Sequence, residues 1–195
     1  MKPLFLATSN PHKLREIQEI LELLGLAHAF RLQARAPEVE ETGVTFLENA
    51  WIKARQVYQA TGRPVIAEDT GLVVESLDGA PGLFSARFAG SPTDHRQNLN
   101  KLLALLQGRG EEARRARFVC YAVYLDDERR VWARGEVQGL IAQEARGNRG
   151  FGYDPIFLYP PLGRTFGELA PALKNRRSHR YHAFRRLFQK LGMLP

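Results

Sequence analysis

The sequence predicts an α/β fold with a mixed sheet flanked by helices. Three observations predict it. Short apolar runs that read as strands alternate with longer stretches whose apolar residues recur at helical spacing. Arg117 to Leu125 and Arg130 to Val137 flank Asp126-Asp127-Glu128 as an antiparallel hairpin, which makes the sheet mixed. The composition, 44% hydrophobic and 25% charged over 195 residues, is that of a globular chain long enough to bury a sizeable core.

Pro3 to Ala7 reads as a buried strand ending in a polar turn. Asn10 is a helix cap with Pro11 at the first helical position, and Leu14, Ile17, Leu21 and Leu24 follow at helical spacing before Gly25 closes the helix. Phe30 to Ala34 reads as a second strand, followed by the acidic turn Glu38-Val39-Glu40-Glu41-Thr42-Gly43. Thr45-Phe46-Leu47-Glu48 has the spacing of a capping box and opens a helix to about Ala60. Pro64 to Ala67 is a strand delivering Glu68-Asp69-Thr70-Gly71 at its end, and Leu72 to Leu77 either extends it or begins another. Thr93 caps a helix with the stripe Leu99, Leu102, Leu103 and Leu106, ended by Gly108. Gly147 to Asp154 is a glycine-rich loop. A last helix runs from about Ser178 to Leu191 with Phe184, Leu187, Phe188 and Leu191 inward.

The net charge of +7 is local. Seven of the 28 Lys and Arg residues lie between Leu169 and Pro195, a stretch with no acid, and the other 21 match the 21 acids. That pattern indicates a local anion site or a basic face rather than a chain coated for nucleic acid. The lone Cys120 excludes a disulfide framework and a cysteine-built zinc site within one chain. Apolar runs such as Val119 to Leu125 fall far short of the ~20 residues that span a bilayer. The N-terminus turns polar at Thr8 without the apolar core of a signal peptide. A reducing, cytoplasmic setting with no membrane is expected.

Four constellations carry chemistry. The turn Thr8-Ser9-Asn10-Pro11-His12-Lys13 opens a helix, where amide groups and the dipole favour phosphate, with Lys13 adding a point charge; the same residues also make an ordinary capped helix. The pairs Glu40-Glu41 and Glu68-Asp69 offer hard carboxylate ligands for magnesium, and Asp69 is placed to activate water. Adjacent acids are more often solvated turn residues, but the apolar run into Glu68 places a carboxylate near the core edge. In Gly150-Phe151-Gly152-Tyr153-Asp154-Pro155 an aromatic ring can stack on a base and Asp154 can accept hydrogen bonds from a purine edge; a turn with two packed aromatics is the plain alternative. Lys174-Asn175-Arg176-Arg177-Ser178-His179-Arg180 concentrates cations at a helix start, an arrangement opposed by the dipole unless an anion binds there.

Read in register, these segments resemble the inosine triphosphate pyrophosphatase family over nearly the whole chain. The resemblance is carried by Thr8-x-Asn10-x-x-Lys13, Glu40-Glu41-Thr42-Gly43, Phe46-x-Glu48-Asn49-Ala50 and Lys53-Ala54. It continues through Ala67-Glu68-Asp69-Thr70-Gly71-Leu72, Gly79-Ala80-Pro81-Gly82 with Ser85-Ala86-Arg87, Gly150 to Phe157, and Ser178-His179-Arg180. It implies one elongated domain of two lobes around a long twisted sheet, with a substrate cleft between them. It also implies a homodimer and magnesium-dependent hydrolysis of ITP, dITP and XTP to the monophosphate and pyrophosphate; no stable nucleic-acid partner is expected. By position it assigns Thr8 to Lys13, Lys53 and Lys174 to the triphosphate, with His179 and Arg180 near base and phosphates. Asp69 becomes the general base and, with Glu40 or Glu41 and Glu68, a metal contact; Thr70 touches substrate, and Phe151, Gly152, Tyr153 and Asp154 recognise the base. Three positions depart from the family pattern: Ser9 stands for a common glycine, Glu68 and Glu75 for common aspartates, and Tyr181 for a smaller residue.

Two other readings compete. A nucleic-acid module explains the basic C-terminal segment but not the acidic pairs, which would repel a polyanion. Modified pyrimidine triphosphates, as in the related Maf-like proteins, fit the fold but not the purine-family loop Phe151 to Asp154.

Overall fold

The computed structural model describes residues 3–28, 31–34 and 39–195. The expected strand start at Phe30 and the expected turn start at Glu38 lie outside the described residues. The elements are β1 (Pro3–Leu6), α1 (Pro11–Leu23), β2 (Arg31–Ala34), α2 (Phe46–Thr61), β3 (Val65–Val74) and α3 (His95–Leu105). They continue with β4 (Arg115–Leu125), β5 (Arg130–Ile141), β6 (Phe157–Tyr159), β7 (Arg164–Thr165), α4 (Pro171–Asn175) and α5 (His179–Lys190). The strand order is β2-β1-β3-β4-β5-β6-β7. β1 pairs parallel with β2 and β3, while β6 pairs antiparallel with β5 and β7, so the sheet is mixed as expected. Among the described residues no helix is long and apolar enough to cross a membrane.

The chain divides into two units: 1–69 with 120–135 and 175–195, and 70–119 with 136–174. In the first unit, alternation along β1 sends Leu4 and Leu6 to one face and Phe5 and Ala7 to the other. Leu4 and Leu6 meet Ile17, Ile20 and Leu21 of α1 and Ala183, Phe184, Leu187 and Phe188 of α5. Phe5 and Ala7 meet Ala50, Ala54 and Val57 of α2. Helices thus cover both faces of the parallel strands, the arrangement such strands need to bury their side chains. The second unit packs Leu99, Leu102 and Leu106 of α3 with Leu72, Val74, Phe118, Phe157 and Phe166, the Phe118 and Phe157 rings 4.6 Å apart.

Local chemistry explains the element ends and three departures from expectation. Asn10 caps α1 by accepting from the amides of His12 (2.9 Å) and Lys13 (3.3 Å), with Pro11 behind it. Thr45 caps α2 through the Glu48 amide, but the Glu48 carboxylate returns to the amide of Val44 at 2.8 Å, one residue outside the box the spacing predicts. The cap of α3 is Asp94, not Thr93, because the Asp94 carboxylate takes both the amide and the side chain of Gln97. β3 is one strand of ten residues, so Glu68 and Asp69 sit within it rather than past its end; Leu72 and Val74, both fully buried, hold the extension in the core. Ser178 caps α5 as predicted, accepting from the Tyr181 amide at 3.1 Å.

α5 lies so close to β5 that a Cβ on Gly135 would collide with the carbonyl of His179 and the amide of Ala183, both backbone groups that cannot turn aside. Gly135→Ala should therefore force the helix off the strand and cost about 2–3 kcal/mol, lowering the melting temperature by about 5–10 °C in a calorimetric scan. An unchanged melting temperature would show that the helix yields freely.

Candidate active site

Placing Glu68 and Asp69 within β3 determines the geometry. Neighbours on a strand point to opposite faces. Glu68 shares a face with Ile66 and turns toward α1 and α5, whereas Asp69 shares a face with Val65 and Ala67 and turns toward α2. Both carboxylates are buried, at 2% and 6% exposure. Each has to meet cations on its own side.

On the Glu68 side, Lys13 of α1 reaches Oε1 at 2.8 Å and Arg180 of α5 approaches Oε2 at 3.6 Å. Arg180 also pairs with Glu16, one helical turn after Lys13, and the Cys120 thiol lies 3.4 Å from Oε2 of Glu68. Burial alone would push the Glu68 carboxyl up, but Arg180, then Lys13 and Lys53, hold it well below the usual carboxylate range. Arg180 is 1% exposed, so its charge answers acids of the chain itself. His179 is buried beside it, and its carbonyl lies against Gly135.

On the Asp69 side, the Lys53 ammonium lies 2.9 Å from Asp69 Oδ1 and 2.8 Å from Glu41 Oε1, joining strand and acidic turn through one charge. Asn49 donates to Asp69 Oδ2 at 3.4 Å and accepts from the Gly43 amide at 2.8 Å, which seats the turn carrying Glu41. Gly43 has to be glycine here, because a Cβ would lie 2.6 Å from the Asn49 carbonyl oxygen. Burial raises the Asp69 pKa, opposed by Lys53 and Lys13; Lys53, which burial alone would lower, is raised by Asp69 and Glu41. Glu40 is exposed and forms no ion pair among the described residues.

The turn before α1 brings Thr8, Ser9 and Asn10 to the helix start, with Ser9 exposed. Because Asn10 already accepts the amides of His12 and Lys13 and Pro11 has none, the turn offers hydroxyls and Lys13 rather than bare helix amides.

The second unit holds the remaining candidates. Asp154 Oδ2 accepts from Lys174 Nζ at 2.5 Å and from the Phe151 amide at 2.9 Å. Lys174 Nζ also sits 5.4 Å from the Phe151 ring centroid, and His95 of α3 lies 6.2 Å from the same ring. Gly150 has φ +74°, and a Cβ there would run into the Asp154 carboxylate. Tyr153 is buried and donates to the Ser85 carbonyl at 2.9 Å, with burial pushing its hydroxyl pKa up. Gly152 and Thr70 are half-buried.

The structure thus gathers Lys13, Glu41, Lys53, Glu68, Asp69 and Arg180 in one unit, and Phe151, Asp154 and Lys174 in the other. Lys174 pairs with Asp154 of the aromatic loop. Sequence reasoning gave no role to Glu16, Asn49, Ser85 or His95. Glu16 had a legible signal, a carboxylate on the inward stripe of α1 between Lys13 and Ile20; Asn49 and Ser85 stood within the motifs that carry the resemblance but were given no role, and His95 had no signal outside the tertiary fold. Of the departures, Tyr181 packs against the core of the first unit and Glu75 pairs with Arg117 at 3.1 Å.

Comparison with known proteins agrees over the full length. A model of the Ham1 family matches residues 4–190. The chain is 45% identical over 194 residues to a protein named dITP/XTP pyrophosphatase from Pectobacterium atrosepticum, covering 98% of each. It is 47% identical over 197 residues to a protein of the same name from Xanthomonas oryzae pv. oryzae, covering 100% of this chain and 99% of that one. Among solved structures, a HAM1 protein from Coxiella burnetii superposes with a TM-score of 0.86 at 39% identity over 98% and 99% of the two chains. The Ham1 protein of Staphylococcus aureus gives 0.85 at 36% identity over 98% of each. The chain belongs to the Ham1 family.

Proposed function

We propose that this chain is a nucleoside triphosphate pyrophosphohydrolase that converts dITP, ITP and XTP to the monophosphate and pyrophosphate. The observation that carries the reading is the Asp69 carboxylate, buried in β3 yet clamped by Lys53 and Asn49 beside Glu41. The full-length likeness to proteins named dITP/XTP pyrophosphatase supplies the substrate class.

In the proposed step, a water oxygen bonds to the α-phosphorus and gives its proton to Asp69. The bond from the α-phosphorus to its bridging oxygen breaks, and that oxygen leaves with pyrophosphate. Burial raises the proton affinity of Asp69, which suits a base, while Lys53 favours its ionised form. Lys13, at the start of α1, is the group offered to the outer phosphates, with Thr8 and Ser9 supplying hydroxyls.

The donor set fits magnesium: the acids are hard oxygen ligands, and Glu41 and Asp69 converge on the same ammonium. Those two are the residues proposed to hold the ion. Glu68 lies on the other face of β3 with cations at both of its oxygens, and Glu40 is exposed. When bound, magnesium would neutralise triphosphate charge and make the pyrophosphate a better leaving group. Phe151 is proposed to stack on the purine, with Lys174 holding Asp154 and hence the loop in place. Arg180, oriented by Glu16 and Glu68, is the donor proposed to favour a carbonyl over an amine at C6. A homodimer, a cytoplasmic setting and a single functional domain complete the proposal and rest on the family resemblance.

With magnesium, pyrophosphate should form from ITP, dITP and XTP at far higher kcat/KM than from GTP, ATP or dTTP, and chelation with EDTA should abolish it. Release of orthophosphate instead, or equal turnover of ATP, would overturn the assignment. Asp69→Asn keeps the side-chain volume and leaves Lys53 its Glu41 partner, so kcat should fall by about 10²-fold or more with little change in nucleotide affinity; near-normal kcat would remove Asp69 as the base. Lys13→Ala should weaken ITP binding about tenfold more than IMP binding. Equal losses in calorimetric titrations with the two ligands would place Lys13 away from the outer phosphates.

A further inference from the structure

The candidate site uses only part of the C-terminal charge. Of the seven cations after Leu169, Lys174 is paired with Asp154, and Arg180 with Glu16 and Glu68. Arg176, Arg185, Arg186 and Lys190 remain exposed and form no ion pair among the described residues. Arg186 and Lys190 stand next to β5, which gives this part of the excess a shape. Arg130, Trp132 and Arg134 alternate outward on that strand, while Val131, Ala133 and Gly135 turn toward the α5 side. Arg186 donates to the Arg134 carbonyl at 2.8 Å and Lys190 to the Trp132 carbonyl at 2.9 Å, so helix and strand present one continuous surface. Trp132 is 42% exposed, with Lys190 Nζ 5.0 Å from its ring and the Tyr121 ring 5.9 Å away. Arg134 in turn lies 5.9 Å from the Tyr121 ring. Arg185 and Arg186 lower the pKa of His182, after burial itself, as expected of a strongly positive face.

We propose that this surface binds single-stranded nucleic acid, with bases stacking at Trp132 and Tyr121 and phosphates on Arg130, Arg186 and Lys190. Charge complementarity selects a polyanion, and the aromatics select among polyanions. A single strand presents flat bases between its phosphates, which suits cations interleaved with rings. An acidic peptide offers no such faces, and a bilayer surface calls for more insertable apolar area than one tryptophan. Of the four acids that argued against a polyanion at the level of sequence, Glu41, Glu68 and Asp69 are each engaged by Lys13, Lys53 or Arg180, and Glu40 alone stays exposed.

Fluorescence anisotropy of labelled oligothymidylate and oligouridylate with the intact chain tests this. Affinity should fall as salt rises, the logarithmic slope being about −0.7 for each phosphate contacted. Trp132→Ala should weaken binding about tenfold, and Arg130→Gln or Lys190→Gln should each reduce the salt slope by about 0.7. Glutamine keeps a donor for the strand carbonyl, and none of these residues belongs to the proposed catalytic machinery, so dITP turnover and melting temperature should hold. No binding at low salt would overturn the proposal. So would equal binding of duplex DNA and polyglutamate with no effect of Trp132→Ala, which would leave a plain basic face. Because turnover is read separately, neither result bears on the hydrolase assignment.

Discussion

Two adjacent carboxylates buried on opposite faces of one strand constrain the first unit more than any other feature. Removing an ionised carboxylate from water costs several kcal/mol even after the protein relaxes, and a partner has to be present on each face. Lys13 from α1 and Arg180 from α5 serve Glu68, while Lys53 from α2 serves Asp69. The helices that cover the sheet are therefore also the carriers of the counter-charges. Hydrophobic packing brings α1, α2 and α5 onto the strands, and the ion pairs set where along each strand they stop. Losing one member of such a pair leaves a buried charge, at about 3–5 kcal/mol; losing an apolar contact of similar size is milder where the core can relax.

The same constraint separates what was legible in the sequence from what was not. Helix starts were readable because Asn10-Pro11 and Ser178 act locally, through atoms two or three residues away. The strand carrying Glu68 and Asp69 was readable to Ala67, with extension through Leu72 to Leu77 one of two options. An acidic pair normally ends an apolar run, and nothing local says that cations on three helices will let the run continue to Val74. Once the strand is known to continue, alternation assigns Glu68 and Asp69 to opposite faces, a consequence not open while both were placed at the strand's end. Lys174 shows the converse. Its charge marked it for an anion, but the anion it meets is Asp154, twenty residues earlier and brought near only by the fold.

The aromatic loop obeys a comparable logic with different parts. Its glycines read as a loop in the sequence, and Gly150 is needed there for two concrete reasons, a left-handed φ and the closeness of the Asp154 carboxylate. With Asp154 accepting from both the Phe151 amide and Lys174, the Phe151 ring is oriented from below by hydrogen bonds rather than by packing alone. A loop held in this manner can present a ring to a flat ligand without the ordering cost a free loop would incur on binding.

Seen together, the buried pairs also bear on why a hydrolase would keep lysines so close to carboxylates. On the proposed roles, a triphosphate at Lys13 would compete with Glu68 for the same ammonium, and an ion at Asp69 and Glu41 would compete with Lys53. Arg180 and Lys13 hold the Glu68 carboxyl well below the usual carboxylate range before any ligand comes, repaying part of its desolvation. On that proposal the free protein carries its own stand-ins for phosphate and metal, and ligand binding would exchange one set of ion pairs for another instead of creating charge in an apolar interior. An exchange of that kind calls for no movement of β3, so the Asp69 carboxylate would stay where the proposed step needs it.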